Sequence, residues 1–373
     1  MDRIPLLQPS MPSTEALIPY LRRIEAARLY TNFGPLCREF ERRLEDLLEP
    51  TRGPCRATTV ANATLGLELS LMASGLRSGA RVLIPAITFV ATATAIQRSG
   101  MVPVIADVDP ETWCLTPAIA RQACASGRID AVVPVATFGC ALDPSEWDDH
   151  ARAYDCRVII DAAGAFGNQV PGTRSDVVYS FHATKAFGAG EGGAVVSSSE
   201  EHIARVRHLS NFGIDTRCGE LIDIGTNGKM SEYHCAVALA SFDRWKITCN
   251  ERRALFSRYC AKLRRHCPTI SWQRKDETGI YPLMPVLLPS SVQANQIADR
   301  LDNLGISTRR WYCPPLHLHP ALRALPRAGS LAVSEQLGRR ILGLPFFLGI
   351  SDEQIDRVVD ALSNAIEAPE GAA

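Results

Sequence analysis

The feature that most constrains this chain is a rhythm in its first half, where short continuous apolar runs alternate with segments of helical spacing. The runs are residues 81–85 (RVLIP), 103–108 (PVIADV), 131–135 (AVVPV), 157–161 (RVIID) and 177–181 (VVYSF), followed by 192–198 (GGAVVSS). A strand with one wet face alternates apolar and polar residues, so unbroken runs suit strands covered on both faces. Helical spacing at 90–100, 117–126 and 144–154 separates the first four. Strand–helix repetition of this kind predicts an α/β fold with a mostly parallel sheet and right-handed crossovers. Ligands of such sheets sit at the carboxyl ends of the strands, which points to the residues just after Pro85, Asp161 and Phe181.

The pattern changes after Ser241. A long polar helix is expected over 241–266, short strands around 281–289, and helices over 291–304 and 352–367. These predict a smaller C-terminal α+β domain, dividing the chain into residues 1–249 and 250–373. There is no internal repeat or low-complexity tract, and the last residues, PEGAA, are expected to fray.

Forty basic residues balance forty acidic ones, which argues against an electrostatic nucleic-acid binder. No apolar run approaches the roughly 18 residues of a membrane span, and the N-terminal residues do not resemble a signal peptide. A cytoplasmic protein with no membrane partner is expected. The twelve cysteines are scattered between Cys37 and Cys313 without a C-x-x-C pair, so they read as free thiols, and no metal site is expected.

Chemistry concentrates in SFHATKAFGAGEGG, residues 180–193. The chain has only five lysines, and Lys185 alone sits just past a strand end in apolar company. Such a setting lowers an amine's pKa and frees it for carbonyl chemistry, although a surface loop lysine fits the local sequence equally well. The glycines do not make a dinucleotide fingerprint, because they precede a strand instead of opening a helix. Asp161 ends the run RVIID. A carboxylate buried there needs a partner, for which a protonated pyridine nitrogen and a helix cap are the two candidates. Residues 60–76 read as a turn into a helix, with Ala63 and Thr64 at its start, where free amides suit a phosphate or an ordinary cap. Phe89 follows the strand 81–85 and offers a ring for stacking or for the core.

Taken in order, these segments resemble the DegT/StrS family of pyridoxal-phosphate (PLP) sugar aminotransferases, which have the PLP fold type I architecture. The likeness runs from TNFGPLCREFE (31–41) through IIDAAGAFG, SFHATKAFGAGEGGAVV and GTNGKMSE to GISTRRWYCPPLHLHP (305–320) and LGLPFF. It implies that Lys185 carries PLP as a Schiff base and that Asp161 pairs with the pyridine nitrogen. It also implies phosphate contacts from Ala63, Thr64 and Ser180, stacking by Phe89, and a homodimer with shared sites in which Asn227 reaches the partner's phosphate. His317 would lie near the substrate. Arg309 and Tyr312 are further substrate candidates, and Arg217, Arg310 and Trp311 are residues able to meet a diphosphate or base.

One position departs from the family pattern. Gln or His usually stands three residues after the aspartate, and here Gly164 does, leaving His182 or water to serve the cofactor's phenolic oxygen. The implied reaction is transfer of an amino group from an amino acid, by likeness L-glutamate, to a keto-sugar nucleotide, with a 4-keto-6-deoxy sugar the expected type. The alternatives are amination of a non-sugar ketone in natural-product biosynthesis and a PLP-binding protein without catalysis.

Overall fold

Seven strands make the central sheet of the protein's computed structural model, which describes residues 2–367. They are β1 (Arg56–Val60), β2 (Arg81–Pro85), β3 (Val102–Ala106), β4 (Ala131–Val132), β5 (Arg157–Asp161), β6 (Ser175–Ser180) and β7 (Gly193–Ser197), in the spatial order β1-β7-β6-β5-β4-β2-β3. The pairs from β6 to β3 are parallel, whereas β7 runs antiparallel to both β6 and β1. The expected mostly parallel sheet is therefore present, with one reversed strand. The residues 369–373 expected to fray lie outside the described residues.

Helices cover both faces: α1 (Thr14–Ala27), α2 (Pro35–Arg52), α3 (Ala63–Ala73), α4 (Val90–Arg98), α5 (Pro117–Ser126), α6 (Pro144–Tyr154), α7 (Glu200–Ser210) and α8 (Glu232–Asp243). Alternate residues of each strand feed different cores. Val158 and Ile160 join Phe40, Trp147 and Leu239, while Ile159 joins Leu67, Ile96 and Val206. This two-sided covering is why the strand runs are unbroken in apolarity.

Several expected elements are shorter than their apolar runs. Strand 131–135 ends at Val132, because Pro134 has no N–H for the ladder; the path continues as an isolated bridge from Val135 to Asp161. The helix expected over 241–266 spans parts of two helices: α8 ends at Asp243, Arg244 caps it, and α9 (Trp245–His266) begins at the next residue. The break admits Trp245 to an aromatic cluster, 5.2 Å from Phe166 and 5.4 Å from Phe187. A hairpin, β8 (Ile214–Asp215) and β9 (Glu220–Leu221), had no counterpart in the apolar pattern.

A separate core forms among α9, β10 (Met284–Leu287), α10 (Ala294–Asn303), β11 (Ile341–Leu344) and α12 (Asp352–Glu367), while α11 (Ala332–Arg340) sends Leu337 to a smaller cluster with Trp113 and Phe138. The separate core gathers Leu255, Tyr259, Val286, Ile297, Leu342 and Val358, and takes in Ile4, whose backbone pairs with Ile306. We propose that the two domains divide near Cys249, within α9.

Candidate active site

The carboxyl ends of β2, β5 and β6 open into one cavity of about 760 Å³. Its lining includes Ala63, Thr64, Phe89, Asp161, Gly164, Ser180, His182, Lys185, Arg309 and Tyr312. These ten residues and Trp311, all singled out in the sequence, thus share a single space at the end of the sheet where strand polarity places it.

Asp161 is the last residue of β5 and is buried. Its Oδ2 accepts the Thr92 hydroxyl at 2.8 Å, and its Oδ1 accepts the Ala163 N–H at 3.1 Å. Thr88 Oγ1 lies 2.9 Å from Thr92 Oγ1 and extends the chain. Burial pushes the Asp161 pKa up, against the two hydrogen bonds and the positive charge of Lys185.

Lys185 sits in the hairpin that joins β6 to antiparallel β7. Phe181 N donates to Gly192 O, Ala183 N to Gly190 O and Lys185 N to His182 O, each at 2.9 Å, so the loop is fixed along its backbone. Burial pushes the Lys185 pKa down, and the negative charge of Asp161 opposes the shift. Each group registers the other's charge, and the desolvated amine is biased toward its neutral, nucleophilic form.

Opposite them lies the start of α3, capped by Asn62, whose Oδ1 accepts the Leu65 N–H at 2.9 Å. The first-turn amides of Ala63 and Thr64 have no acceptor within the helix. Two glycines bring this helix end close to the sheet. A Cβ on Gly193 would lie 2.7 Å from Tyr179 O and 2.9 Å from Ala63 N, and one on Gly66 would lie 2.8 Å from the Val178 side chain. Ser180 ends β6 beside this cradle, and its Oγ accepts the His182 N–H at 3.3 Å.

Other candidates vary in their setting. Phe89 precedes α4 and is 56% exposed, a free ring at the cavity wall. The His182 ring is engaged with Thr184 Oγ1 at 2.9 Å. A Cβ on Gly164 would make only ordinary contacts, 3.7 Å to Gly139 N and 3.8 Å to Pro282, so the backbone does not require glycine there. Tyr312 stacks on Phe138 with ring centroids 4.8 Å apart, and burial together with the Asp161 charge pushes its pKa up. The Arg309 guanidinium lies 4.4 Å from the Trp311 ring centroid.

Four residues singled out in the sequence are not among those lining the cavity. Asn227 is exposed, with its backbone bridged to Asn211. His317 is buried, with Nε2 3.3 Å from Glu335 Oε1 and no partner for Nδ1. Arg217 pairs with Asp215, and Arg310 hydrogen-bonds Ile341 O, Asn295 and Gly338 O, so both are occupied. Sequence reasoning missed Leu7, Thr88 and Phe138 as cavity residues, and Thr92 as the hydroxyl that holds Asp161. For Thr92 the available signal was its place on the first turn of α4, directly after the strand-end segment. Among the described residues, Cys37, Glu232 and Cys235 lie close enough to suggest a metal site. Both Glu232 oxygens, however, accept N–H groups at the start of α2, from Leu36 and Cys37 at 2.9 Å each.

The architecture is shared with solved aminotransferases. A Bacillus cereus protein assigned as a PLP-dependent aminotransferase superposes with a TM-score of 0.91 at 30% identity, covering 97% of this chain and 100% of that one. DesI, solved with its TDP-sugar product, superposes with a TM-score of 0.88 at 32% identity over 98% of this chain and 94% of its own. The protein is a PLP-dependent aminotransferase of fold type I. The DegT/DnrJ/EryC1/StrS aminotransferase family model matches residues 13–363, and the chain belongs to that family. Relatives include the dTDP-4-amino-4,6-dideoxy-D-glucose transaminase of Shigella dysenteriae, 29% identical over 95% of this chain and 97% of that protein. GDP-perosamine synthase of Caulobacter vibrioides is 30% identical over 90% and 91%.

Proposed function

We propose that this aminotransferase moves an amino group from L-glutamate to the keto carbon of a sugar nucleotide, a 4-keto-6-deoxy sugar by likeness to its relatives. The observation that carries the reading is the placement of Asp161 and Lys185 in one cavity, within electrostatic reach of each other. The cavity suits PLP on three counts. Asp161 is a buried carboxylate held by neutral donors, so a protonated ring nitrogen would compensate its burial. Lys185 offers a desolvated amine for the aldehyde. The start of α3, with Ser180, offers amides and hydroxyls to the phosphate.

Bound PLP supplies an electron sink that makes the donor's α-proton removable and stores the amino group between the halves of a ping-pong cycle. In this reading Lys185 Nζ takes the α-proton and delivers it again, a role that needs an amine neutral near pH 7. Asp161 stays ionised once its positive partner is present, with Thr92 and Ala163 fixing its oxygens. Phe89 shields one face of the site. Arg309 has no carboxylate partner among the described residues; with the Trp311 face beside it, it suits a nucleotide diphosphate and base. Relatives named for dTDP- and GDP-linked sugars support this acceptor class.

We also infer a homodimer. Phe212, Leu221, Ile222 and Ile224 are exposed apolar residues on the segment that presents Asn227, and backbone bonds hold them together (Phe212 N to Thr226 O and Ile222 N to Gly213 O). Such a surface suits a second copy, with Asn227 reaching the partner's phosphate site. Among the described residues no helix is long and apolar enough to cross a membrane.

The test is spectroscopic. Purified protein is expected to be yellow, to bleach with L-glutamate, and to recover its colour with a dTDP- or GDP-linked 4-keto-6-deoxy sugar. Lys185→Ala should abolish both the colour and the turnover. Bleaching by glutamate with recovery only on non-sugar ketones would overturn the acceptor assignment. A wild-type protein that PLP does not label at Lys185 on borohydride reduction would overturn the site.

A further inference from the structure

Behind the cavity wall lies a cluster the reaction does not use. Residues 273–275 pass between two buried thiols. Gln273 Nε2 approaches Cys114 Sγ at 3.8 Å and donates to Thr112 O at 2.6 Å and Thr137 O at 3.0 Å. Cys140 Sγ faces Arg274 O at 3.7 Å. Cys114 and Cys140 thus flank neighbouring residues of one segment, and each thiol shifts the other's titration. Lys275 then points inward. Its Nζ lies 3.7 Å from the Tyr281 ring centroid and 5.1 Å from that of Phe256, and it is buried without a hydrogen-bond partner. A cationic amine in that position needs a counter-charge, and among the described residues the thiols Cys140, Cys260 and Cys114, when deprotonated, are the groups that would supply it.

We propose that Cys140 is an oxidation-sensitive thiol, held as the counter-ion of Lys275 and resolved by Cys114 into a disulfide behind the active-site wall. The thiol shifts agree with the geometry. The Cys114 hydrogen bond, with Lys275 and Arg274, draws the Cys140 pKa down against burial. The same contact and burial push Cys114 up, and burial brings Lys275 down to about 8. Cys140 keeps 6% exposure against 1% for Cys114, so Cys140 meets the oxidant first.

The oxidant is a hydroperoxide. The Cys140 thiolate attacks the distal peroxide oxygen, the O–O bond breaks, and the alkoxide or hydroxide leaves with a proton from Lys275, giving a sulfenic acid. The Cys114 sulfur then attacks the Cys140 sulfur. The S–O bond breaks, and the hydroxyl leaves as water with the Cys114 proton. Two thiols are oxidised by two electrons and one peroxide is reduced. The site matters because Cys140 directly follows Thr137, Phe138 and Gly139. Thr137 and Phe138 line the cavity, and a Cβ on Gly139 would lie 3.0 Å from Gly164 O. A disulfide drawing on Cys140 displaces this turn, and with it the Phe138 ring under Tyr312.

The experiment exposes holoenzyme to hydrogen peroxide and maps all twelve cysteines by mass spectrometry. The expected product is a Cys114–Cys140 disulfide, formed at least about tenfold faster than oxidation of the buried Cys156, with amino transfer falling as it forms and returning on thiol reduction. Cys114→Ser should instead accumulate a dimedone-reactive Cys140 while keeping basal activity. In the wild type, iodoacetamide labelling of Cys140 should rise with pH through an inflection below the ordinary thiol value of 9. That measurement needs no variant. Lys275→Met should move the inflection upward. Cys140 labelling no faster than Cys156, or peroxide oxidation that bypasses the Cys114–Cys140 pair, would overturn the proposal while leaving the PLP assignment untouched.

Discussion

Thr92 donates its hydroxyl to Asp161 Oδ2 across 2.8 Å, and Thr88 stands 2.9 Å behind it, so the buried carboxylate is held from a helix as well as from its own strand. A hydrogen bond to a charged group contributes about 1.5–3 kcal/mol. Thr92→Val keeps the shape and removes the donor. Its amino-transfer rate is expected to fall by roughly tenfold or more, with Thr92→Ser restoring most of it. Single-turnover bleaching by glutamate, followed across pH, checks this. An unchanged rate and pH profile in Thr92→Val would show that the hydroxyl is incidental.

Asp161 carries a stability prediction of opposite sign to its activity. Burial raises its pKa above the ordinary 3.8. A raised acid binds its proton more tightly folded than unfolded, so its favourable contribution is complete below pH 3.8 and is lost as pH rises through the folded value. At pH 7 the buried carboxyl therefore opposes folding of the cofactor-free chain. Asp161→Asn is expected to raise the Tm of cofactor-free protein at pH 7, while amino transfer drops by about a hundredfold to a thousandfold. A lowered Tm in that variant contradicts the account.

Gly193 tests the cradle. An added Cβ would meet Tyr179 O and Ala63 N, backbone atoms that cannot turn aside. Gly193→Ala is expected to destabilise the protein by about 1–3 kcal/mol and weaken PLP binding. Denaturant melts and cofactor titration measure the two effects. Gly164→Ala has open space by comparison, and its stability should stay within about 0.5 kcal/mol of wild type.

His150 supplies a pH signature away from the active site. It is buried beside Trp147 and Tyr154, neither ring nitrogen has a partner, and burial, with help from Arg121, lowers its pKa from 6.5. A lowered base contributes stability above pH 6.5 that is lost as pH falls toward the folded value, where the unfolded chain binds the extra proton. His150→Phe is expected to stabilise the protein by about 1 kcal/mol and flatten this acid-side loss. Urea melts between pH 5 and 8 distinguish the two profiles.

Much of the site was legible because it lies where parallel strands end. Asp161 and Lys185 could be placed from the apolar runs before them, and the α3 start from the turn residues ahead of its apolar face. The reversal of β7 was not legible, since a strand buried on both faces reads the same in either direction. Thr92 was hidden because a threonine on a helix looks like any other until the strand beside it is known. Asn227 and His317 rested on resemblance alone, and the cavity's lining does not include them. The break at Arg244 came from the packing of Trp245, a tertiary demand laid over continuous helical periodicity.

The reversal of β7 has a mechanical corollary. A parallel neighbour would require a long crossover to carry the chain back across the sheet, whereas a reversed one needs only a hairpin, and this hairpin is bonded along its length to its own other arm. Lys185 is therefore mounted on a stiff bracket. Whatever travel proton delivery demands must come from the four methylenes between backbone and amine, so catalytic reach here is measured in rotamers and needs no hinge.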